Sequence, residues 1–301
     1  MAANGLGKNF TYDVSRFAQT DPAKVRYAEA AQIRLDLTDL RGLAADLDGS
    51  VWATGAGALE KTDRDGRPVL RVELRDAGQC VAVGPDGAVY VGMRDHVELF
   101  GADGKRNVAW PALGSNAVLT SIAAGTHDVF VADAGQRVVH HFDRSGKLLG
   151  VIDGKTAPGQ ASHFIVPSPY FDVALGPRET LWIVNPGEQR VENFTFDGKP
   201  QSSWGKAGMG VEGFCGCCNP THIAILADGS FITSEKGLPR VKRYAPNGEL
   251  DGVIAGVEAF AEGTVGLDLA ADAAGRVLVL DPKARAVRVF NERAPKSEVV
   301  R

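Results

Sequence analysis

The stretch Ala88-Val-Tyr-Val91, followed by His96-Val-Glu-Leu99 and Asp103-Gly104, decides the fold. Short runs of β-branched and aromatic residues separated by polar turns predict adjacent antiparallel strands. An Asp-Gly dipeptide supplies the positive φ angles that two-residue hairpin turns require. The first of these strands has counterparts along the whole chain, at Ser50-Val-Trp-Ala53, Asp128-Val-Phe-Val131, Thr180-Leu-Trp-Ile183, Ser230-Phe-Ile-Thr233 and Arg276-Val-Leu-Val279.

The following strand and its turn recur with the same spacing. The corresponding strands are Leu59-Glu-Lys-Thr62, Arg137-Val-Val-His140, Arg190-Val-Glu-Asn193, Arg240-Val-Lys-Arg243 and Ala286-Val-Arg-Val289. The corresponding turns in other units are Asp65-Gly66, Ser145-Gly146, Asp197-Gly198 and Asn247-Gly248. Units of about 35–50 residues are typical of propeller blades. A four-stranded unit cannot bury both of its faces alone, so the repeats predict an all-β, six-bladed β-propeller of antiparallel blades.

Composition supports a compact β protein and excludes several other classes. The chain has 301 residues, of which 44% are hydrophobic, 23% are charged and 36 are glycine. No apolar run approaches the roughly 20 residues that a membrane-spanning helix needs. A net charge of −4 argues against non-specific nucleic-acid binding, although Lys236, Arg240, Lys242 and Arg243 form a local basic patch in the sequence.

Closing the ring requires a strand from one terminus. Residues 32–37 (Gln-Ile-Arg-Leu-Asp-Leu) alternate polar and apolar side chains, as an outer strand does. We therefore expect the N-terminal segment to complete the last blade, with residues 297–301 as the competing candidate. This divides the chain into a tail at residues 1–31, packed on the outside, and a propeller at residues 32–301.

Two junctions between units resemble a known repeat. The glycine-rich segment from Trp204 to Phe214, followed by Pro220, is similar to the start of an NHL repeat, and Gly159-Gln160 with Phe164 and Pro167 is a weaker copy. The motifs Gly216-Cys-Cys-Asn-Pro220, Thr233-Ser-Glu-Lys-Gly237 and Pro239-Arg-Val-Lys242 resemble a poorly characterised, largely exported bacterial subgroup of NHL propellers. The resemblance implies an NHL-type propeller, and NHL propellers include binding modules as well as enzymes.

The fifth unit contains the richest set of functional side chains. Loops between blades, and loops joining the second strand of a blade to its third, share one face of a propeller, where the scaffold holds functional groups rigidly. We expect a site there and at the channel mouth, with Glu235 and Lys236 as acid/base groups if the protein is an enzyme. Alternatively, these two residues pair with neighbours and anchor the loop. The full set of candidate ligand-binding residues is Arg94, His96, Cys217, Cys218, Asn219, Ser234, Glu235, Lys236 and Arg240.

The cysteine cluster admits several interpretations. Cys217 and Cys218 could form a disulfide between neighbours, which implies an oxidising compartment. Cys215 and Cys218 have the spacing of a redox pair or of two metal ligands. Cys215, Cys217, Cys218 and His222 together supply four ligands suited to zinc or copper(I). Free thiols, in a loop that the cluster merely braces, are a further alternative.

No transferable catalytic set is present, which favours a non-catalytic propeller that binds a small molecule or a protein at the fifth blade and channel mouth. The alternative is a metal-assisted lyase or hydrolase at the same place. The first hypothesis requires no cofactor, while a divalent or soft metal ion fits the second. We expect a monomer located in the periplasm or outside the cell, with any leader absent from this sequence; a cytoplasmic protein is the alternative.

Overall fold

The computed structural model describes residues 17–155 and 163–294, and its regular structure is all β apart from short 3-10 turns. An eight-residue strand, β1 (Tyr27–Arg34), comes before the blades. Blade 1 contains β2 (Gly42–Ala45), β3 (Val51–Thr54), β4 (Ala58–Thr62) and β5 (Pro68–Glu73). Blade 2 contains β6 (Cys80–Val83), β7 (Val89–Gly92), β8 (Val97–Phe100) and β9 (Arg106–Ala109). Blade 3 contains β10 (Leu119–Ala124), β11 (Asp128–Asp133), β12 (Val138–Asp143) and β13 (Leu148–Ile152).

The second half of the ring repeats the same meander. Blade 4 contains β14 (Val173–Gly176), β15 (Thr180–Asn185), β16 (Arg190–Phe194) and β17 (Pro200–Trp204). Blade 5 contains β18 (His222–Ile225), β19 (Phe231–Glu235), β20 (Arg240–Tyr244) and β21 (Leu250–Ala255). Blade 6 contains β22 (Leu269–Ala271), β23 (Val277–Asp281) and β24 (Ala286–Glu292). The 3-10 turns are Pro22–Lys24, Pro177–Glu179, Pro186–Glu188 and Val257–Ala259.

The predicted six-bladed propeller is confirmed, because six four-stranded antiparallel sheets form a closed ring. Each innermost strand contacts that of the next blade, and β22 contacts β2. Among the described residues, no helix is long and apolar enough to span a bilayer.

The N-terminal strand closes the ring. Strand β1 pairs antiparallel with β24 and is the outermost strand of blade 6. It runs from Tyr27 to Arg34, earlier than the expected outer strand at residues 32–37, so the boundary expected between residues 31 and 32 falls inside it. Ile33 anchors it in the apolar core between blades. The C-terminal candidate, residues 297–301, most of the expected tail (residues 1–16) and the Gly159-Gln160 part of the weaker NHL copy lie outside the described residues.

Turns between third and fourth strands are longer than the two residues expected. In blade 1 the turn spans residues 63–67, and the Gly66 amide donates to the Asp63 carbonyl. The Asp63 carboxylate also accepts hydrogen bonds from the amides of Asp65 and Arg67, which stabilises the longer loop. Gly66 has a φ of 86°, which favours glycine at this position.

The apolar core lies between neighbouring blades. Phe231 of blade 5 packs between Trp182 and Trp204 of blade 4, with ring centroids 4.7 and 4.9 Å apart. Burying one such ring contributes about 1.5–3 kcal/mol to stability. Because each blade contacts two neighbours, this packing holds the loops at the channel mouth in fixed positions.

Candidate functional site

One end of the channel gathers the loops between blades and the loops between second and third strands; we call this end the upper face. The loop between the second and third strands has the same length in every blade. It comprises residues 55–58, 93–96, 134–137, 186–189, 236–239 and 282–285, counted between the last paired residues of the two strands. Equivalent side chains therefore occupy equivalent positions around the ring.

Glu235 is the centre of a buried ion network at this face. Its carboxylate lies 2.9 Å from Nη2 of Arg240 and 2.8 Å from Nζ of Lys242, and the side chains of all three residues are almost completely buried. It also accepts a hydrogen bond of 2.9 Å from the backbone amide of Cys215. Every oxygen of Glu235 is thus engaged by the protein itself, which fits the anchoring interpretation of this residue better than acid/base catalysis.

The basic partners of Glu235 hold the loop between blades 4 and 5. Nζ of Lys242 donates to the carbonyls of Gly213 at 2.8 Å and Val211 at 3.2 Å, and Arg240 donates to the carbonyl of Met209 at 3.2 Å. Burial lowers the pKa of Lys242 to about 8, although Glu235 opposes this effect. The network fixes a long, glycine-rich loop, which Phe214 also anchors by packing against Trp204 and Tyr244.

The local basic patch seen in the sequence does not form a surface. Arg240 and Lys242 are buried, and Arg243 pairs with Asp228, Asp251 and Glu292. Each of these three cations is neutralised or buried, so Lys236, described below, is the one member of the patch that does not pair with a carboxylate in the described structure. A single lysine does not make a basic surface for nucleic acid.

Asn219 connects the loop between blades to the loop between β19 and β20. Its Nδ2 donates to the carbonyls of Cys215 at 2.6 Å and Lys236 at 3.0 Å, and its Oδ1 accepts from the amide of Lys236 at 2.9 Å. Asn219 is 2% exposed. With both ends of its amide satisfied, Asn219 acts as a brace and does not face a ligand.

The predicted metal ligands do not assemble into a cluster. Sγ of Cys217 and Sγ of Cys218 are 3.2 Å apart as thiols, and the Cys215 thiol faces the carbonyl of Lys236 at 3.7 Å. His222 lies with the channel residues described below. Within residues 17–155 and 163–294, no group of three or more His, Cys, Asp or Glu side chains is arranged to hold a metal ion.

Cys217 and Cys218 border a separate cavity of about 460 Å³ on the fifth blade, which we call the sulfur pocket. Cys217 is exposed, whereas Cys218 is buried. The hydrogen bond and negative charge of Cys218 raise the pKa of the Cys217 thiol. The residues that line the sulfur pocket are Met209, Cys215, Gly216, Cys217, Cys218, Asn219, Lys236, Gly237 and Leu238.

Lys236 connects the sulfur pocket to the channel mouth. Its ammonium donates to Oγ of Ser168 at 2.9 Å and lies 5.0 Å from the ring centroid of Tyr170. Neighbouring Ser234 is completely buried and donates to the carbonyl of Leu267 at 2.7 Å. Of the two, only Lys236 is placed to meet a ligand.

His222 is a buried residue at the start of β18. Its Nδ1 lies 3.1 Å from Oγ1 of Thr221 and 3.3 Å from Oγ of Ser234, and its ring meets Tyr170 edge-on at 5.6 Å. Burial lowers the pKa of His222 to about 4, so the ring is neutral at physiological pH. Since Nε2 has no hydrogen-bond partner among the described residues, it is free for a ligand in the adjacent cavity.

Two carboxylates, those of the buried Asp172 and the half-buried Asp268, lie at the tops of innermost strands. Asp172 accepts a hydrogen bond of 2.6 Å from the amide of Ile223 in blade 5, and Asp268 accepts one of 2.7 Å from the amide of Leu43 in blade 1. Burial raises the pKa of Asp172 to about 6. Burial, together with the charge of Asp172, raises the pKa of Asp268 well above its usual range.

These carboxylates line a channel cavity of about 220 Å³ that all six innermost strands surround. A wider cavity of about 400 Å³ lies at its upper end and shares Thr120 with it; we call this the mouth cavity. Asp39, Arg41, Gln79, Tyr170 and His222 supply polar groups, and Leu40, Leu119, Val265 and Pro282 supply apolar walls. Nε of Arg41 donates to the carboxylate of Asp39 at 2.9 Å, so the two charges are paired within the lining. Nη1 of Arg41 donates to Oε1 of Gln79 at 2.6 Å, which orients both side chains.

The second-blade candidates lie apart from this cavity. Arg94 is exposed, and His96 pairs with Asp95 at 2.8 Å and lies 3.6 Å from Glu98. Neither residue lines the mouth cavity.

Sequence reasoning missed Arg41, Gln79, Asp172 and Asp268, because each stands alone in its own unit. A signal for the carboxylates does exist. Phe171-Asp172-Val173 and Leu267-Asp268-Leu269 place aspartate at the same point of the repeat, directly before the innermost strand.

Comparisons with known proteins define the class of fold. No family model and no curated protein matches this chain, so the resemblance to NHL propellers remains a prediction. Among solved structures, the chain is similar to a streptogramin B lyase, with 14% identity, a TM-score of 0.62 and coverage of 89% of this chain and 98% of that one. A protein of unknown function from Bacteroides thetaiotaomicron has 16% identity, a TM-score of 0.62 and coverage of 89% and 72%.

A third similar structure is a catalytically inactive virginiamycin B lyase from Staphylococcus aureus with quinupristin. It has 13% identity and a TM-score of 0.57, covering 89% of this chain and all (100%) of that one. At these identities the likeness establishes a propeller fold, while function has to be argued from the site.

Proposed function

We propose that the protein is a non-catalytic propeller that binds a small polar molecule in the mouth cavity. The observation that carries the proposal is the convergence of Arg41, Gln79, Tyr170 and His222 on one concave space of about 400 Å³. Ligand sites combine apolar walls with a few placed polar groups, in cavities of roughly 300–1,000 Å³. The mouth cavity has this composition.

The burial of Glu235 favours binding over catalysis. A general base needs a free lone pair within reach of substrate, and the carboxylate of Glu235 is occupied by Arg240, Lys242 and the amide of Cys215. Lys236 lies at the rim, where its ammonium can attract an anionic or strongly polar ligand. Of the two places that the sequence predicts together, the fifth-blade face and the channel mouth, the proposal therefore favours the channel mouth.

A matched pair of surface valines tests this assignment. Val265 lines the mouth cavity and is 45% exposed, so Val265→Trp fills the cavity without entering the core. Val108 is 44% exposed on the outer strand β9, and Val108→Trp is the control. We expect a set of fluorinated fragments, followed by ¹⁹F NMR, to bind wild type and Val108→Trp but not Val265→Trp. Equal binding to all three proteins would overturn the proposal.

A lyase or hydrolase at the channel mouth, with its acid–base group in the adjoining channel cavity, is the second candidate. Two similar structures are named lyases, and Asp172, with a pKa of about 6, has a proton affinity suited to acid–base chemistry near neutral pH. Quinupristin, the compound present in one of those structures, is a direct probe. Conversion of quinupristin by wild type but not by Asp172→Asn, followed by chromatography, would replace the binding proposal with an enzymatic one.

A further inference from the structure

The sulfur pocket contains a donor set that the mouth cavity does not use. Sγ of Cys217 and Sγ of Cys218 lie 3.2 Å apart, and Cys217 is exposed. Met209, whose side chain carries a thioether, lines the same pocket. None of the described lining residues supplies a carboxylate or an imidazole. The pocket thus offers sulfur donors where sites for hard cations offer oxygen.

We propose that Cys217 and Cys218, assisted by Met209, form a binding site for a soft monovalent metal ion of the copper(I) class. Thiolate and thioether ligands select copper(I), whereas carboxylate and carbonyl ligands suit calcium or magnesium. Structural zinc sites take four ligands. Here His222 faces the mouth cavity, and Cys215 contacts Asn219 and the carbonyl of Lys236. The pocket therefore lacks the four protein ligands that a structural zinc site requires.

Charge also favours a monovalent ion. A copper(I) ion replaces the protons of two thiols, releasing two protons to solvent, and the resulting bis-thiolate complex carries one negative charge. No electron is transferred in this step. Lys236 lines the same pocket, and its positive charge, held at Ser168, stabilises that anion. A divalent ion with two thiolates would form a neutral complex and would gain nothing from Lys236.

The supporting shell is already rigid. Asn219 ties the Cys215 carbonyl to the backbone of Lys236, and the Glu235 network fixes the Cys215 amide. Since a metal site loses affinity when its ligands must be ordered on binding, this bracing is the second-shell support that such a site needs.

The test is an anaerobic titration of the reduced, full-length protein with copper(I), using bicinchoninate as the competing chelator. We expect one copper(I) per chain and an X-ray absorption spectrum with sulfur ligands only. Cys217→Ser should weaken binding by more than the roughly 10–100-fold that changes in outer-shell partners cause. Met209→Leu, which conserves volume, should weaken it by about tenfold or more. Because Cys217 is exposed, its substitution leaves the fold intact.

Two controls separate this site from its rivals. Cys80→Ala removes a buried thiol in blade 2, and His222→Gln removes the imidazole from the four-ligand set; neither should change copper(I) affinity. Nitrogen ligands in the spectrum, or zinc binding that depends on His222, would overturn the proposal. So would thiols that resist alkylation until a reductant is added, with a mass lower by a pair of hydrogen atoms, because Cys217 and Cys218 would then form a disulfide.

Discussion

Oε1 of Glu235 lies 2.8 Å from Nζ of Lys242, and neither side chain has any exposed surface. Arg240 completes the network by donating to both carboxylate oxygens, from Nε to Oε1 at 3.1 Å and from Nη2 to Oε2 at 2.9 Å. Buried charges are costly unless they are paired and hydrogen-bonded. In this protein the excess positive charge meets backbone carbonyls of the loop between blades 4 and 5. The stability of that loop therefore depends on one carboxylate.

Glu235→Gln should destabilise the protein by about 3–5 kcal/mol, because it leaves two buried cations without their counter-charge. Urea unfolding followed by fluorescence measures the change. Glu249→Gln, at an exposed position, is the matched control and should stay within about 0.5 kcal/mol of wild type. Similar losses in both variants would show that the network contributes no specific stability.

The pKa of Asp172 predicts how stability changes with pH. Because burial raises the folded-state pKa from 3.8 to about 6, the folded state holds the proton more tightly than the unfolded state. The resulting stabilisation is complete below pH 3.8 and is lost as pH rises through 6. We expect Asp172→Asn to gain stability relative to wild type over this range and to keep the gain at pH 7.

Urea unfolding of wild type and Asp172→Asn, at several pH values from 4 to 7, measures that difference. Asp143 is the control with the opposite sign, since hydrogen bonds from Ser145 and from the Lys147 amide lower its pKa. Because the contribution of Asp143 is lost only as pH falls below its unfolded-state pKa of 3.8, the stability difference between Asp143→Asn and wild type should stay nearly constant from pH 4 to 7. A constant difference between wild type and Asp172→Asn would contradict the assignment.

The pKa of His222 makes stability depend on pH in the opposite direction to Asp172, over an overlapping pH range. Burial lowers its pKa from 6.5 to about 4, so its contribution is complete above pH 6.5 and is lost as pH falls through 4. His222→Gln should reduce the acid-side loss of stability. Long-range ¹H–¹⁵N spectra should show a neutral His222 ring at pH 5, and a protonated ring at that pH would contradict the prediction.

Ring closure by β1 can be tested with one side chain. Ile33 is 3% exposed, and Ile33→Ala should cost about 2–5 kcal/mol, as other large-to-small core substitutions do. Val69 lies on the outer strand of the next blade and is 59% exposed, so Val69→Ala is the control. Thermal unfolding compares the two. Equal melting temperatures would mean that β1 adds little to the ring.

The repeat pattern predicts the fold well because turn residues and strand centres recur in every unit. Residues 51–53 and 89–91, for example, lie in β3 and β7 as predicted. The exact start of β1 could not be predicted, since Tyr27–Ala31 has mostly exposed side chains and no clear alternation. Its pairing with β24 decides the boundary, and that contact spans the whole chain.

The candidate site was only partly predictable. The closeness of Cys215, Asn219 and Glu235 follows from the topology of one blade. Whether Glu235 faces solvent or the two cations of β20 depends on how that strand packs. The local sequence pattern does not determine this packing. The mouth cavity is harder still, because Arg41, Gln79 and His222 come from three different blades. Such a site becomes visible only when equivalent positions of the repeat are compared.

The pairing of β1 with β24 has a consequence for protein synthesis. The ribosome makes β1 before any blade and β24 after all the others. During translation β1 therefore has an unpaired edge until β24 has been synthesised. Unpaired strand edges promote aggregation. The earlier blades can form their meanders as they emerge, but the circle closes only after the last blade has left the ribosome. Closure of the ring is thus the last step in forming this fold.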